Sequence, residues 1–364
     1  MTYVSMASMN RMFRAIGRRA FRPIRTLRSA KSTAVRSVRL HASADTEISP
    51  ILQSGVEFVR DGSILIDRRW SHGGVGAQFA EDAATYHQRY FERLAFIPLI
   101  ERCLDLAAID RSSVRRVLDI GSGSGASVFA LSHLLPQAEI YASDISPELL
   151  HLLAKIAESN GHARARVKAL CFDLHRPVFR RGTFDLVVGS AILHHLLDPR
   201  AALVNVAASL CEGGKIVLVE PLEAGSLVLT ALFGTVLTKL LARGEGDGPL
   251  ARFMRAMRLD IQSRLGVPEQ KPWTRGLDDK WVFDRAYLLE LGKALGLARV
   301  DVHPSEEDLT HVFENTFTSL LSDAGLSSIP IPDDVRECVR AYDTGVDARL
   351  KREVCPTGVI VFGR

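Results

Sequence analysis

What the sequence lacks narrows it first. Its five cysteines, Cys103, Cys171, Cys211, Cys338 and Cys355, are odd in number, widely spaced and form no CxxC pair. That excludes a disulfide framework and a cysteine zinc site, and reads as small buried thiols in a reducing compartment. No apolar run reaches the roughly 18 residues that span a bilayer. The longest candidate, residues 227–241, is interrupted by Thr230, Gly234, Thr235, Thr238 and Lys239. No apolar stretch follows the basic N-terminus, so no secretory signal is expected. Acidic residues are absent from residues 1–44, which hold ten basic residues from Arg11 to Arg39, so the net +4 of the chain is a basic arm on a mildly acidic body. A nucleic-acid-binding body would itself be basic, so no nucleic-acid partner is expected.

What is present suffices for a folded body. Of the 364 residues 47% are hydrophobic and 24% charged, which excludes disorder throughout and allows two domains or one large one. In the arm, Arg11, Arg14, Arg18, Arg22 and Arg25 fall on one helical stripe, with Met12, Phe13, Ile16, Ala20 and Leu27 opposite and Pro23 as a breaker. This composition fits an organellar transit peptide, a segment on an anionic membrane surface, or a disordered extension with Met6 or Met9 as rival starts. The expected location is cytoplasmic, with a mitochondrial or other organellar alternative through the arm.

Residues 45–110 read as an N-terminal extension and lid, with a hairpin turning at Asp61-Gly62 and a helix over 81–106 that begins near Tyr86, Tyr90 and Phe91. From Val114 the pattern alternates strand and helix. Strands are expected at 116–120, 139–142, 166–171, 184–189, 215–220, 299–302 and 358–362, and helices at 126–135, 147–160, 201–210, 226–242 and 283–295. That is an α/β fold with a mostly parallel sheet. Residues 111–364 form its domain, broken by insertions at 221–280 and 305–356.

The strongest chemical signal is VLDIGSGSGA, where an apolar strand meets Gly121, Gly123 and Gly125 and then a helix. Glycines there permit a tight turn and close approach of a ligand to the backbone, and the helix start offers free N–H groups. Alone, the pattern fits either a dinucleotide or another nucleoside. Asp119, two residues before Gly121, suits an ammonium rather than a pyrophosphate. Asp144 can hold ribose hydroxyls, and Asp173 can accept from an adenine amino group. Asp119, Asp144, Asp173 and Ser190 all end successive expected strands, where open α/β sheets bind ligands.

Together these segments resemble the class I S-adenosylmethionine-dependent methyltransferases. VLDIGSGSG is similar to that family's first motif, YASDIS to the second, CFDL to the adenine-contacting one, FDLVVGSAILHHL to the fourth and CEGGKIVLVEP to the fifth-strand motif. The resemblance covers roughly residues 85–220 and the last two strands, with HHL nearer the quinone- and small-molecule-methylating branch. It implies a Rossmann-like sheet of seven strands with an antiparallel last strand and helical insertions after strands 5 and 6. It implies S-adenosyl-L-methionine as cofactor. Gly121, Gly123 and Gly125 would line its methionine part and Asp119 its amino group. Asp144, with Ile145 beside it, would hold the ribose, and Asp173 with Phe172 or Leu174 would frame the adenine. Ser190 and Ile192 would sit by the sulfonium.

Catalysis would rest on in-line placement of the acceptor, with a base needed for a hydroxyl. His194, His195 and Glu220 are the base candidates. Their alternative is structural: two adjacent histidines on a turn are not expected both to face a pocket. His87 and His303 read as structural, and no metal is expected. The acceptor is expected to be small or lipid-like, since the loops lack the Asn/Asp-Pro-Pro-aromatic signature of base methylation, and O-methylation is the favoured outcome. Residues 226–242 read as a packed lid helix or as an apolar channel or membrane patch, giving, with residues 1–44, two routes to peripheral membrane contact. Trp273, Trp281, Phe283 and Tyr287 are core or pocket wall. A non-catalytic adenosylmethionine-binding module and a nicotinamide oxidoreductase are the alternatives.

Overall fold

The computed structural model describes residues 41–44, 47–71, 87, 93–159, 166–266, 279–297 and 299–363. The basic arm to residue 40, the expected helix start with Tyr86, Tyr90 and Phe91, and Trp273 lie outside the described residues.

A single sheet organises the body. Its strands are β1 (His41–Ala44), β2 (Phe58–Asp61), β3 (Ile64–Asp67), β4 (Arg116–Ile120), β5 (Glu139–Asp144), β6 (Val167–Cys171), β7 (Phe184–Ser190), β8 (Leu210–Pro221), β9 (Arg299–Pro304) and β10 (Thr357–Gly363). They lie in the order β1-β2-β3-β6-β5-β4-β7-β8-β10-β9. Strands β3, β6, β5, β4, β7 and β8 pair in parallel, and β10 runs antiparallel to both β8 and β9. Among the described residues the sheet therefore has ten strands where seven were expected. The three additional strands are β1 and the two of the hairpin at Asp61-Gly62, β2 and β3. The hairpin forms as the alternation predicts, with Phe58 opposite Asp67 and Asp61 opposite Ile64. It then extends the sheet through β3 onto β6 instead of closing as a lid, because Ile64, Leu65 and Ile66 are buried on both faces.

Helices cover both faces. The helices α1 (Arg93–Leu106), α2 (Ala126–Leu134) and α3 (Pro147–Ser159) bury Ile100, Leu104, Leu131, Leu150 and Leu153 against one face. On the other face α4 (Pro199–Ala208) and α7 (Arg285–Ala294) bury Leu203, Val206, Leu288 and Leu291. Strand β8 shows why its sequence reads as a continuous apolar run. Ile216 and Leu218 point to one core, Val217 and Val219 to the other.

The two insertions make one unit. Helices α5 (Glu223–Ala242) and α6 (Pro249–Arg264) come from the first, and α8 (Val312–Asp323), α9 (Asp333–Gly345) and α10 (Ala348–Glu353) from the second. Leu232, Phe233 and Val236 of α5, Phe253 and Met254 of α6, Phe313 and Phe317 of α8 and Val335 of α9 form a third core. Helix α5 is long and apolar enough to cross a membrane, with mean hydropathy 1.7. Its buried side instead packs within this helical module, leaving Leu227 and Leu241 exposed. Trp281 and Phe283 are core residues, both nearly fully buried, with Tyr287 stacked on Phe283 at 6.2 Å. All five cysteines are free, with Cys103, Cys171 and Cys355 buried.

Candidate active site

The strand order reverses between β4 and β7, so the loops after these strands flank the cleft where open α/β sheets take ligands. The loop after β4 is the glycine turn. Gly121, Gly123 and Gly125 all adopt left-handed φ of 68°, 51° and 101°. Their smallness also serves packing within the protein. A Cβ on Gly121 would stand 2.6 Å from Ile192 Cγ1, and one on Gly125 would stand 2.9 Å from Leu153 Cγ. Ile192, from the loop after β7, thus packs directly onto the first glycine. Gly121→Ala is expected to lower stability by about 2–4 kcal/mol in chemical denaturation, combining the left-handed backbone cost and the clash. Adding Ile192→Ala should recover part of that loss. An unchanged denaturation midpoint for Gly121→Ala would contradict the packing.

Asp119 is buried beneath this turn, 1% exposed. Ser127 Oγ donates to its Oδ2 at 2.7 Å, while Ser122 and Ser143 hydroxyls donate to its carbonyl oxygen at 3.0 Å each. Among the described residues its Oδ1 has no hydrogen-bond partner. Burial pushes the Asp119 carboxyl up to about 7, against the lowering pull of Ser127 and Ser122, and the nearby Asp144 charge adds to the rise. A buried carboxylate oxygen without a donor is costly, and an ammonium would satisfy it. The residues therefore fit the amino group of S-adenosylmethionine.

Asp144 ends β5 as expected. Gly123 N donates to its Oδ2 and Ser146 N to its Oδ1, each at 2.9 Å, so the carboxylate also ties the glycine turn to the next strand. Burial raises its carboxyl from the ordinary range, opposed by these backbone donors. Ile145 follows it, its carbonyl accepting from Trp70 Nε1 at 3.0 Å. Asp173 follows β6, and its Oδ1 accepts from His175 N at 3.0 Å and pairs with His175 Nδ1 at 2.8 Å. That bond holds the Asp173 carboxyl below its usual range and His175 above its own. Leu174 is buried in the core. Ser190 ends β7 opposite Val219. The site thus gathers Asp119, the three glycines, Asp144, Ile145, Asp173 and Ser190 along one carboxyl edge.

The base candidates are arranged differently from expectation. Ala191 takes a left-handed φ of 53°, and Leu193–His195 form one 3-10 turn. Glu220, fully buried at the end of β8, clamps this turn. Its Oε1 accepts from Ile192 N at 3.0 Å and Leu193 N at 2.6 Å. Its Oε2 accepts from His194 N at 3.4 Å and lies 2.6 Å from His194 Nδ1. With both oxygens so engaged, Glu220 positions the loop and is not the proton acceptor expected from the sequence.

His194 and His195 do converge, contrary to the expectation for adjacent turn residues, because a single tight turn brings their ring centroids to 4.1 Å, tilted by 45°. Both approach Asp279 Oδ1, His195 Nδ1 at 3.3 Å and His194 Nε2 at 3.8 Å. Burial, followed by the neighbouring His194, pushes the His195 imidazole well below the ordinary histidine range, against the upward pull of Asp279. Asp279 is pinned beside the turn by its neighbours: Lys280 N donates to His194 O at 2.8 Å and Trp281 Nε1 to Leu196 O at 2.6 Å.

Trp70 escaped the sequence reading, and Asp279 entered it only within the 278–281 stretch that could wall the pocket. The composition of neither segment marks it, and both arrive from chain segments remote from the motifs they touch. His87, expected to be structural, places its Nδ1 3.0 Å from Ser124 Oγ in the glycine turn. His303 lies in β9.

Comparison with known proteins agrees with this architecture. Residues 118–216 match the methyltransferase domain family. The chain is 30% identical over 157 residues to a demethylmenaquinone methyltransferase of Thermus thermophilus, covering 42% of this chain and 69% of that protein. It is 31% identical over 148 residues to an aklanonic acid methyltransferase of a Streptomyces species, covering 40% of this chain and 64% of the relative. An uncharacterized protein of a Synechococcus species is 31% identical over 193 residues, covering 53% of this chain and 43% of the relative. The chain thus spans less than two thirds of the latter two proteins. With the motifs, the strand-end carboxylates and the glycine turn in place, the chain belongs to the class I S-adenosylmethionine-dependent methyltransferase family.

Proposed function

We propose that this protein transfers a methyl group from S-adenosylmethionine to a hydroxyl oxygen of a small or lipid-like acceptor. The observation that carries the reading is Asp119 Oδ1, a buried carboxylate oxygen with no donor among the described residues, below a left-handed glycine turn. When bound, the cofactor supplies a methyl group on a positively charged sulfur, which is electrophilic without further activation.

The chain's own residues supply placement. Asp119 would pair with the amino group, Asp144 with ribose hydroxyls, and Asp173 with the adenine edge. The turn after β7, locked by Glu220, presents His195 beside Asp279, where it is placed to draw the proton from an acceptor hydroxyl. Two relatives are named for small-molecule acceptors, aklanonic acid and demethylmenaquinone, which supports an acceptor of that class.

Incubation with methyl-labelled S-adenosylmethionine and a panel of phenols, quinols, amines and active-methylene compounds, read by mass spectrometry, tests this. Label on oxygen is the expected product. Label confined to nitrogen or carbon would overturn the acceptor assignment. His195→Gln is expected to lower kcat by about 100-fold or more with cofactor affinity unchanged, as loss of a general base does. An equal fall in cofactor affinity would instead make His195 part of the cofactor site.

A further inference from the structure

We propose that His194, His195 and Asp279 form a binding site for one divalent transition-metal ion at the acceptor end of the cleft. The inference rests on the methyl-transfer reading only for what such an ion would do, not for its binding.

The three residues bring one donor atom each within 4.8 Å of one another. Two donors about 2.0–2.1 Å from a tetrahedral ion stand roughly 3.3 Å apart. The observed separations from Asp279 Oδ1 are 3.3 Å to His195 Nδ1 and 3.8 Å to His194 Nε2. The side chains are largely shielded, His194 at 9% exposure, Asp279 at 10% and His195 at 20%.

The second observation is the support behind His194. Glu220 is fully buried and its Oε2 lies 2.6 Å from His194 Nδ1, while the opposite ring nitrogen, Nε2, lies 3.8 Å from Asp279 Oδ1. A carboxylate holding the far nitrogen of a ligating histidine is the usual support of a metal-bound imidazole.

The donor set chooses the ion class. Two imidazole nitrogens and one carboxylate suit zinc-, iron- or cobalt-class ions, whereas magnesium and calcium prefer oxygen. Three protein donors leave coordination positions open for the acceptor's oxygen, and with the ion bound its charge, rather than a free lone pair on His195, would ease the loss of the acceptor's proton. Two cations also act on His195, namely Lys280 and Arg264. Arg264 lies 3.3 Å from Asp260 and donates to the Trp281 carbonyl at 3.2 Å. Glu220 and Asp279 supply the two negative charges on which a dication would draw.

The test uses the full, tag-free chain stripped with a chelator and titrated with Co²⁺. One equivalent per chain with a visible ligand-field spectrum is expected, displaced by Zn²⁺. Asp279→Asn should weaken cobalt binding at least about 100-fold, and Glu220→Gln by about 10- to 100-fold through the supporting bond. The thermal midpoint and cofactor affinity of Asp279→Asn should stay near wild type, showing that it folds. No ligand-field band at saturating Co²⁺ overturns the site and assigns the cluster to a shared proton. So does a band that persists unchanged in Asp279→Asn. If no band appears while labelled methyl transfer continues, the metal inference fails and the proposed function stands. If the band appears but no acceptor is methylated, the site stands and the function reading fails.

Discussion

Asp119→Asn is expected to lower the affinity for S-adenosylmethionine by about 100-fold or more while leaving the protein folded. Removing one member of a buried charge pair costs about 3–5 kcal/mol, and each 1.4 kcal/mol is tenfold in affinity. Asparagine keeps the shape and can still accept from Ser127, which now donates to Oδ2 at 2.7 Å. The same carboxylate gives the wild type a pH signature. In the empty protein its carboxyl sits up at about 7. Below that pH it is protonated and must lose its proton to pair with the cofactor's ammonium. Affinity should then fall by about tenfold for each pH unit below 7, since the ammonium itself stays charged throughout that range.

Folding of the empty protein has the opposite pH trend. A raised carboxyl means that the empty fold loses stability as pH rises from the unfolded carboxyl range towards 7, so bound cofactor should relieve a penalty at neutral pH. Isothermal titration at several pH values, on wild type and Asp119→Asn, measures both effects. A wild-type affinity flat between pH 5 and 7, within about twofold, would count against a cofactor-facing Asp119.

Glu220→Ala is expected to cost about 3–5 kcal/mol of stability and nearly all methyl transfer. Its four contacts fall on three consecutive backbone N–H groups and one imidazole, in a turn that packs onto Gly121. Alanine would leave all of these donors buried without an acceptor. The fall in Tm should be about 10 °C. Glu220→Gln keeps one accepting oxygen but turns an amide donor towards donors, so an intermediate fall is expected. Calorimetry of both variants checks this. A Tm for Glu220→Ala within about 2 °C of wild type would show that the turn holds itself.

These two residues also mark how far the sequence could be read. Asp119, Asp144, Asp173 and Ser190 were legible because each ends a strand whose apolar pattern is local, and the glycines are local too. The parallel order followed from strands separated by helices. What was not legible is pairing across distance. Nothing around Ile64–Asp67 announces that it will pair with Val167–Cys171, so the sheet was undercounted. The two insertions were each visible, yet their shared core needs Phe233 to meet Phe317, 6.4 Å between ring centres, from segments on either side of β9. His194, His195 and Glu220 were recognised as titratable groups at strand ends. Their roles depended on which oxygen faces which nitrogen, and on Asp279 arriving from elsewhere in the chain. The glycines teach the converse point. Their positions were read correctly, but at Gly121 and Gly125 a Cβ would meet Ile192 and Leu153.

The helical module carries an evolutionary consequence. Its interior residues share almost nothing with the two cores that flank the sheet. Substitutions that reshape it should add independently to those that tune the cofactor side, as distant sites do. A lineage could therefore change the module with little effect on the strand ends proposed to hold the methyl donor. Strand β8 is one of the segments that join the two, since it ends at Glu220 and Pro221 and leads directly into α5. Drift between relatives should therefore be fastest past Glu223 and slowest at the residues just before it.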